Sequence, residues 1–320
     1  MNNKKISVVI ATYNASGRNE NYFMKQINSI FNQTILPDEI VFTDDCSKDN
    51  TLCLINEIVK KNDLPINIKV CPHDKNQGFV NNFFDGIMNS SGDIIFLCDQ
   101  DDIWLSNKVE KTIELFNSNY DMIAIHSNLS VIDNNNKLIK KKFISKRVGT
   151  KKININQFLK EIHYPGMALA FKSKEIKNDI EKIYKSNAKI CTHDYLICFL
   201  AVLQRGFYIS DEVYTLRRLT GYNVALSKNF NDSSNNKRNI SNRVKQIKLY
   251  QTNFVMLQEV NKYTGLDIKE PIEKYIKCNE KRIMYLENKK SFELAKNLLN
   301  ILYYPSIRAF IADFLIISRG

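Results

Sequence analysis

Four short apolar runs rich in β-branched and aromatic residues punctuate the first hundred residues: Ile6–Ala11, Glu39–Thr43, Ile66–Cys71 and Asp93–Cys98. Each of the first three is followed by a polar turn and a stretch of helical period, which predicts helices over Asn21–Asn32, Asn50–Lys61 and Gly78–Ser90, the last closed by Gly92. Strands alternating with helices predict an α/β fold with a mostly parallel, Rossmann-like sheet. A fifth strand is expected over Met122–Ile132, leading to a turn at Asp133–Lys137 and a basic loop, Lys140–Lys152, of the kind that can serve as a mobile lid. Gly166–Phe171 reads as another strand, followed by helices over 173–185 and from Thr192 to Arg205. The Asn/Ser-rich stretch 229–239 reads as a linker. Helices over 240–263, 269–289 and 293–318 then form a C-terminal helical extension, so the expected organisation is a catalytic-type domain at 1–228, the linker, and a basic helical region at 240–320.

Composition changes this picture in two places. The 320 residues, 44% hydrophobic, suffice for one large α/β domain with a smaller appendage. The net charge of +12 is unevenly placed: residues 224–320 carry 17 Lys/Arg against 9 Asp/Glu, an excess of +8. Such a tail suits an anionic surface, and with no nucleic-acid module in it, lipid head groups fit better than DNA or RNA. Leu298, Leu299, Ile301, Leu302, Tyr303, Tyr304 and Ile307–Ile317 between Arg308 and Arg319 suit a helix lying in a membrane surface; packing on the protein itself or in an oligomer is the open alternative. The seven Cys include no C-x-x-C pair and sit mostly in apolar runs, which implies a reducing compartment and no structural zinc. The opening residues lack a signal-peptide pattern, and no stretch reaches the ~18 apolar residues of a membrane span, since Asp313 interrupts the tail. The expected location is the cytoplasm, extending to the inner face of the cell membrane.

In an open parallel sheet, ligands bind at the carboxyl ends of the strands. Those ends carry Thr12-Tyr13-Asn14, then Asp44-Asp45, then Asp99-Gln100-Asp101-Asp102. Three carboxylates within four residues, directly after an apolar strand, need a counter-charge. A divalent cation, Mg²⁺ or Mn²⁺, supplies it and bridges carboxylates to substrate phosphate oxygens. Lys75-Asn76-Gln77-Gly78 precedes a helix N-terminus, where backbone N–H groups favour anions.

Ser7-Val-Val-Ile-Ala-Thr-Tyr-Asn, Thr43-Asp-Asp-Cys-Ser-Lys-Asp-Asn-Thr, Asn76-Gln-Gly and Cys98-Asp-Gln-Asp-Asp-Ile-Trp together resemble glycosyltransferase family 2, with the GT-A fold of nucleotide-diphospho-sugar transferases. The Asp-Gln-Asp-Asp-Ile-Trp spelling is similar to the rhamnosyltransferase-like branch, and the likeness runs over residues 6–224. It implies an inverting enzyme that moves a sugar from dTDP-rhamnose or a UDP-sugar to the hydroxyl of a lipid-linked or saccharide acceptor, in bacterial surface polysaccharide assembly. It further implies that Thr12, Tyr13 and Asn14 line the nucleotide pocket and that Asp45 hydrogen-bonds the base. Lys75 assists there, Asp99 faces the ribose or sugar, and Asp101 and Asp102 hold the metal. Trp104 either stacks on the acceptor or packs the core. Asp194, in Cys191-Thr-His-Asp-Tyr-Leu, matches the general base, with His193 as its neighbour. Arg218-Leu-Thr-Gly-Tyr-Asn-Val is similar to a family segment that has a histidine where this chain has Thr220; the departure leaves Arg217 or Arg218 as the diphosphate clamp and puts a third metal ligand in doubt.

Two other classes compete. A dinucleotide enzyme is disfavoured because no G-x-G-x-x-G follows the first strand, and a nucleotidyltransferase would want a Gly-rich basic loop better than Thr12-Tyr-Asn-Ala-Ser-Gly-Arg. A non-catalytic sugar- or nucleotide-binding protein would keep the fold without needing the carboxylates that are present.

Overall fold

The computed structural model describes residues 4–144, 149–161, 164–186, 188–190, 192–220, 239–264 and 269–318. Two compact units divide the chain: Met1–Ile153 with Tyr164–Lys182 and Thr192–Thr220, and Asn154–His163 with Ile183–Cys191 and Gly221–Gly320. Apart from Asn239, the expected linker lies outside the described residues.

The first unit holds one sheet. Its strands are β1 (Ile6–Thr12), β2 (Glu39–Asp44), β3 (Asn67–Pro72), β4 (Ile94–Asp99), β5 (Ile103–Trp104), β6 (Ala124–Ile132), β7 (Leu138–Lys140), β8 (Lys151–Lys152), β9 (Leu169–Lys172) and β10 (Phe207–Arg218). They run in the order β3-β2-β1-β4-β9-β6-β10-β5, with β7 on β6 and β8 on β10. β1, β2, β3 and β4 pair in parallel, as do β6 and β10, while β9 is inserted antiparallel between β4 and β6. The sheet is therefore mixed. The expected strand at Gly166–Phe171 is half a strand: Gly166–Ala168 form a 3₁₀ turn, and pairing starts only at Leu169.

The helices are α1 (Ala15–Phe31), α2 (Thr51–Lys60), α3 (Phe79–Asn89), α4 (Lys108–Ser118), α5 (Ile155–Phe158), α6 (Ser173–Lys185) and α7 (His193–Leu203), α5 belonging to the second unit. Both faces of the central strands are covered, which is why these strands read as continuous apolar runs. On one face Val8 and Ile10 pack with Phe23, Ile27, Ile55 and Phe96. On the other, α3 comes so close that a Cβ on Gly86 would sit 2.4 Å from Val9 Cγ1, so only glycine allows that approach. α7 is buried almost all round, as its uniformly apolar sequence requires. The flanks of the basic 140–152 loop are strapped to the sheet by β7, β8 and the Asn128 side chain, which bonds both N–H and C=O of Ile144. Trp104 is a core residue, packed 5.8 Å from Phe96.

The second unit contains α8 (Ile240–Thr264), α9 (Lys269–Glu287), α10 (Ser291–Lys296), a 3₁₀ segment (Asn297–Tyr303) and α11 (Ile307–Ser318). The expected continuous helix over 293–318 is broken at Tyr304, whose extended backbone (ψ 149) is what the following Pro305 demands. Asp313 is fully buried and accepts from Arg243 Nε at 2.6 Å and Arg282 Nε at 2.9 Å, while Arg282 lies over the Tyr304 ring. Tyr304 is thus buried and not interfacial. Its hydroxyl accepts from Asn297 Nδ2 at 3.1 Å. Among the described residues no helix is long and apolar enough to cross a membrane.

At the amino edge of the sheet Glu39 is buried and fully engaged: Ser7 Oγ, Ser91 N–H and Ser91 Oγ donate to it, and Lys69 Nζ lies 2.7 Å away. Burial alone would raise its carboxyl, but these donors hold it down at about 2. A depressed acid stabilises the fold above its unfolded value of 4.5 and loses that contribution as pH falls towards 2. Glu39→Gln should therefore cost about 1–3 kcal/mol at neutral pH and flatten the fall in stability between those limits, as read from urea unfolding at a series of pH values.

Candidate active site

The strand register sets the site. Thr12 of β1 lies opposite Asp44 of β2, and Ala11 opposite Asp99 of β4, so three polar strand ends stand side by side. Thr12 is buried and donates to Asp44 Oδ1 (3.0 Å) and Thr43 O (3.2 Å); it fastens the strand ends. Asp44 closes a tight turn, accepting from Ser47 N–H (2.8 Å) and Ser47 Oγ (2.5 Å). Asn14 adopts a left-handed backbone (φ 49) at the start of α1, where its Oδ1 accepts from Lys48 N–H. Tyr13 is more than one-third exposed, and its backbone is clipped on both sides by Gln100, which accepts from Tyr13 N–H (2.8 Å) and donates to Tyr13 O (3.3 Å). That clip joins the expected nucleotide side of the crevice to the acidic loop, and Gln100 carried no signal of it in the sequence.

Asp45 is buried, and its two oxygens accept from Gln77 N–H (2.6 Å) and Gly78 N–H (3.0 Å) at the start of α3. The anion at this helix N-terminus is the protein's own carboxylate, while Lys75 is exposed beside it.

The acidic loop is crowded. Asp102 is buried; its Oδ1 accepts from Arg218 N–H (2.8 Å), and its Oδ2 has no hydrogen-bond partner. Burial first, then the charges of Asp101 and Asp99, push the Asp102 carboxyl well up. Asp99 is pushed up to about 7 by burial, Asp101 and Asp194, against the pull of Arg217 and Lys108. Lys108 is buried, donates to Met167 O (2.6 Å) and Thr215 Oγ1 (2.9 Å), and lies 3.9 Å from the Trp104 ring; burial lowers its ammonium to about 7.

Arg218, expected with Arg217 as a diphosphate clamp, is held within the protein. It is fully buried, with Nε donating to Asp101 O (3.0 Å), Nη1 to Asp133 O (3.1 Å) and Asn136 Oδ1 (2.6 Å), and its guanidinium 4.2 Å from the Tyr22 ring. It ties the acidic loop to the β6–β7 turn. Neighbouring residues of a strand point to opposite faces. Arg217, one position earlier, has its charge felt by Asp99 and Asp102 and a buried Nε without a hydrogen-bond partner. The continuation of this segment, from Gly221, lies outside the described residues, and Thr220 is the last before it.

Asp194 stands in the first turn of α7. Its Oδ1 accepts from Thr192 Oγ1 and from Tyr195 N–H (2.8 Å), and Thr192 caps the helix. The Asp194 charge bears on Asp99, so the start of α7 lies beside the acidic loop. His193 is buried, stacked 4.0 Å from the Phe83 ring, with neither ring nitrogen hydrogen-bonded and its charged form disfavoured by burial. Gly166 wedges between: a Cβ there would lie 2.9 Å from His193 Nε2, 3.5 Å from Asp194 Cβ and 3.7 Å from Leu97 Cδ1. The charges of Asp101, Arg217 and Asp194 thus all bear on Asp99.

The profile of Glycosyl transferase family 2 matches residues 7–177, more than half of the chain. The chain belongs to this family. A stretch of 160 residues is 28% identical to the Escherichia coli UDP-Glc:alpha-D-GlcNAc-diphosphoundecaprenol beta-1,3-glucosyltransferase WfgD, covering 50% of this chain and 57% of that one. Over 135 residues it is 33% identical to an uncharacterized glycosyltransferase of Nostoc sp., covering 42% of this chain and 39% of the relative. The matches span only part of these relatives' lengths. Among solved structures, TarS 1-349 of S. aureus in complex with UDP-GlcNAc superposes with a TM-score of 0.56 at 15% identity, covering 98% of this chain and 89% of that one. The mannosyltransferase PcManGT of Pyrobaculum calidifontis, in complex with GDP-Man and Mn²⁺, gives 0.52 at 12%, covering 93% and 74%. The fold of this family 2 glycosyltransferase is GT-A, followed by C-terminal helices.

The carboxylate oxygens of Asp101 and Asp102 are hard donors, and the buried Asp102 Oδ2, which has no hydrogen-bond partner, fits a divalent cation. Among the described residues no three His, Cys, Asp or Glu side chains form a closed ligand group, so such an ion would take its remaining ligands from substrate and water.

Because His193 is pinned by Phe83, Gly166→Ala should displace the start of α7 and not the imidazole alone. Turnover should fall by about 10-fold to 10²-fold and stability by about 1–3 kcal/mol, measured by nucleoside diphosphate release and urea unfolding.

Proposed function

We propose that the protein is an inverting, metal-dependent glycosyltransferase that moves one sugar from a nucleoside-diphosphate donor to an acceptor hydroxyl in bacterial surface polysaccharide assembly. The observation that carries this is Asp194, held beside the Asp99–Asp102 loop with its Oδ1 fixed by Thr192 and Tyr195. In this reading Asp194 accepts the proton of the acceptor hydroxyl through its other oxygen, Oδ2. The hydroxyl attacks the anomeric carbon from the face opposite the departing nucleoside diphosphate. Tyr13, at the outer end of β1, supports the base, and Asp45 fixes the turn on which the base lies. Arg217 is favoured over Arg218 as the guanidinium that meets the diphosphate, because Nε and Nη1 of Arg218 are engaged by protein oxygens. Asp101 and Asp102 hold Mg²⁺ or Mn²⁺, which when bound neutralises charge on the leaving diphosphate.

A UDP-sugar is the favoured donor, supported by the UDP-Glc enzyme among the relatives and by the UDP-GlcNAc complex of TarS; dTDP-rhamnose follows from the rhamnosyltransferase-like spelling of the acidic loop. A lipid-linked diphosphate acceptor is supported by the named substrate of the same relative. Work at the cytoplasmic face of a membrane agrees with the +8 excess of the tail and with exposed Leu298, Leu299, Leu302, Ile307 and Ile311.

Asp194→Asn should leave donor binding unchanged in calorimetry while turnover falls ~10²–10⁴-fold, since a base acts only on the acceptor proton. Normal turnover would make Asp194 a helix cap alone. Asp101→Asn should weaken Mn²⁺-dependent UDP binding by about tenfold or more, and excess chelator should abolish turnover of the parent enzyme; full activity in chelator would refute the metal reading.

A further inference from the structure

The turn and edge strand that follow β6 have an arrangement that catalysis does not call for. In β7 and its flanks, Leu138 and Ile139 are 53% and 55% exposed at successive positions of the edge strand, between Lys137 and Lys140-Lys141. Lys137, Lys140 and Lys141 are exposed and form no ion pair among the described residues, whereas Lys142 is held by Asp211 at 3.0 Å. The acid of the turn, Asp133, is engaged by the turn's own backbone, accepting from Asn135 and Lys137 N–H. Two exposed apolar tips on an edge strand, flanked along the chain by ammonium groups outside any ion pair among the described residues, one of them over the Phe143 ring, would be a poor choice for contact with water alone. They match the boundary of an anionic bilayer, where apolar tips enter among the acyl chains and cations meet head groups.

The same turn is wired to the crevice. Arg218 Nη1 bonds Asp133 O and Asn136 Oδ1 while its Nε bonds Asp101 O, and Tyr22 Oη donates to Asn134 O at 3.2 Å. β7 pairs with the last residues of β6, Val131 and Ile132, at the carboxyl end of the sheet. A surface that engages this edge also fixes where the acidic loop sits.

We propose that the β6–β7 hairpin is a docking edge for an anionic lipid surface, which holds the crevice at the depth of a membrane-anchored acceptor's diphosphate. The catalytic role of the crevice rests on the glycosyltransferase reading above; the docking does not.

The test uses the full chain and vesicles of phosphatidylcholine with or without about 30% phosphatidylglycerol. The parent should float with the anionic vesicles only. Lys137→Gln/Lys140→Gln/Lys141→Gln should weaken that partition by about fivefold per lysine removed, and Leu138→Ser/Ile139→Ser should weaken it without changing its salt dependence. Ile139→Trp reports insertion directly, because the only other tryptophan, Trp104, is buried. Its emission should shift to the blue and be quenched by brominated lipid. UDP binding by each variant, equal to the parent's, confirms the fold. Flotation of the lysine variant equal to the parent's, or an unquenched indole signal from the floating Ile139→Trp variant, overturns the proposal and assigns membrane contact to the C-terminal helices. Failure of the parent to float overturns it outright. Flotation and quenching in a protein that binds no UDP would sink the enzymatic reading and leave the docking edge standing.

Discussion

Like charges brought together out of water raise one another's free energy, and the end of β4 gathers three of them in Asp99, Asp101 and Asp102. Much of the first unit can be understood as the means of tolerating that crowd. Arg218 gives its backbone N–H to Asp102 and its side chain to the Asp101 carbonyl; Arg217 and Lys108 add charge from β10 and α4. Lys108 is buried as well, and burial works against its ammonium just as it works against the neighbouring carboxylates.

The same crowd fixes the relation between the two halves of the crevice. Lys108 holds Met167 O, the turn at Gly166–Ala168 abuts His193 and Asp194, and the Asp194 charge is felt at Asp99. The contact is tight because Gly166 has no side chain and His193 is stacked on Phe83 with no room to turn. The base candidate thus stands on the end of a buried helix and not on a free loop, so its position is set by core packing.

The strands and their chemistry-bearing ends were legible, because a strand covered on both faces must be apolar until it reaches the crevice: β1, β2 and β4 end where the apolar runs end. The acidic spelling of the β4 loop could be read for the same reason, whereas Asp194, at the start of a helix, was singled out only through the family resemblance. Other features depend on tertiary partners that no local pattern encodes. The sequence offers Arg217 and Arg218 as equals, and only the sheet's pleat separates them. Gln100 looks like a spacer between acids until its amide is seen clipping the Tyr13 backbone. Tyr304 and Asp313 read as interfacial and interrupting residues of a surface helix; Pro305 bends the chain so that both are drawn into a buried cluster with Arg243 and Arg282.

Several amides at the starts of the helices near these strand ends are taken by internal oxygens. Thr51 takes those of Ala15 and Ser16 and Asp49 that of Gly17 in α1, while Asp45 takes those of Gln77 and Gly78 just ahead of α3. Asp45, Asp49 and Thr51 all belong to the segment that follows β2. One short loop thus grips the starts of two helices that lie on opposite faces of the sheet. A change in its length would be felt on both sides of the molecule's core at once, which ties the freedom of this loop to vary to the packing of α1 and α3 together.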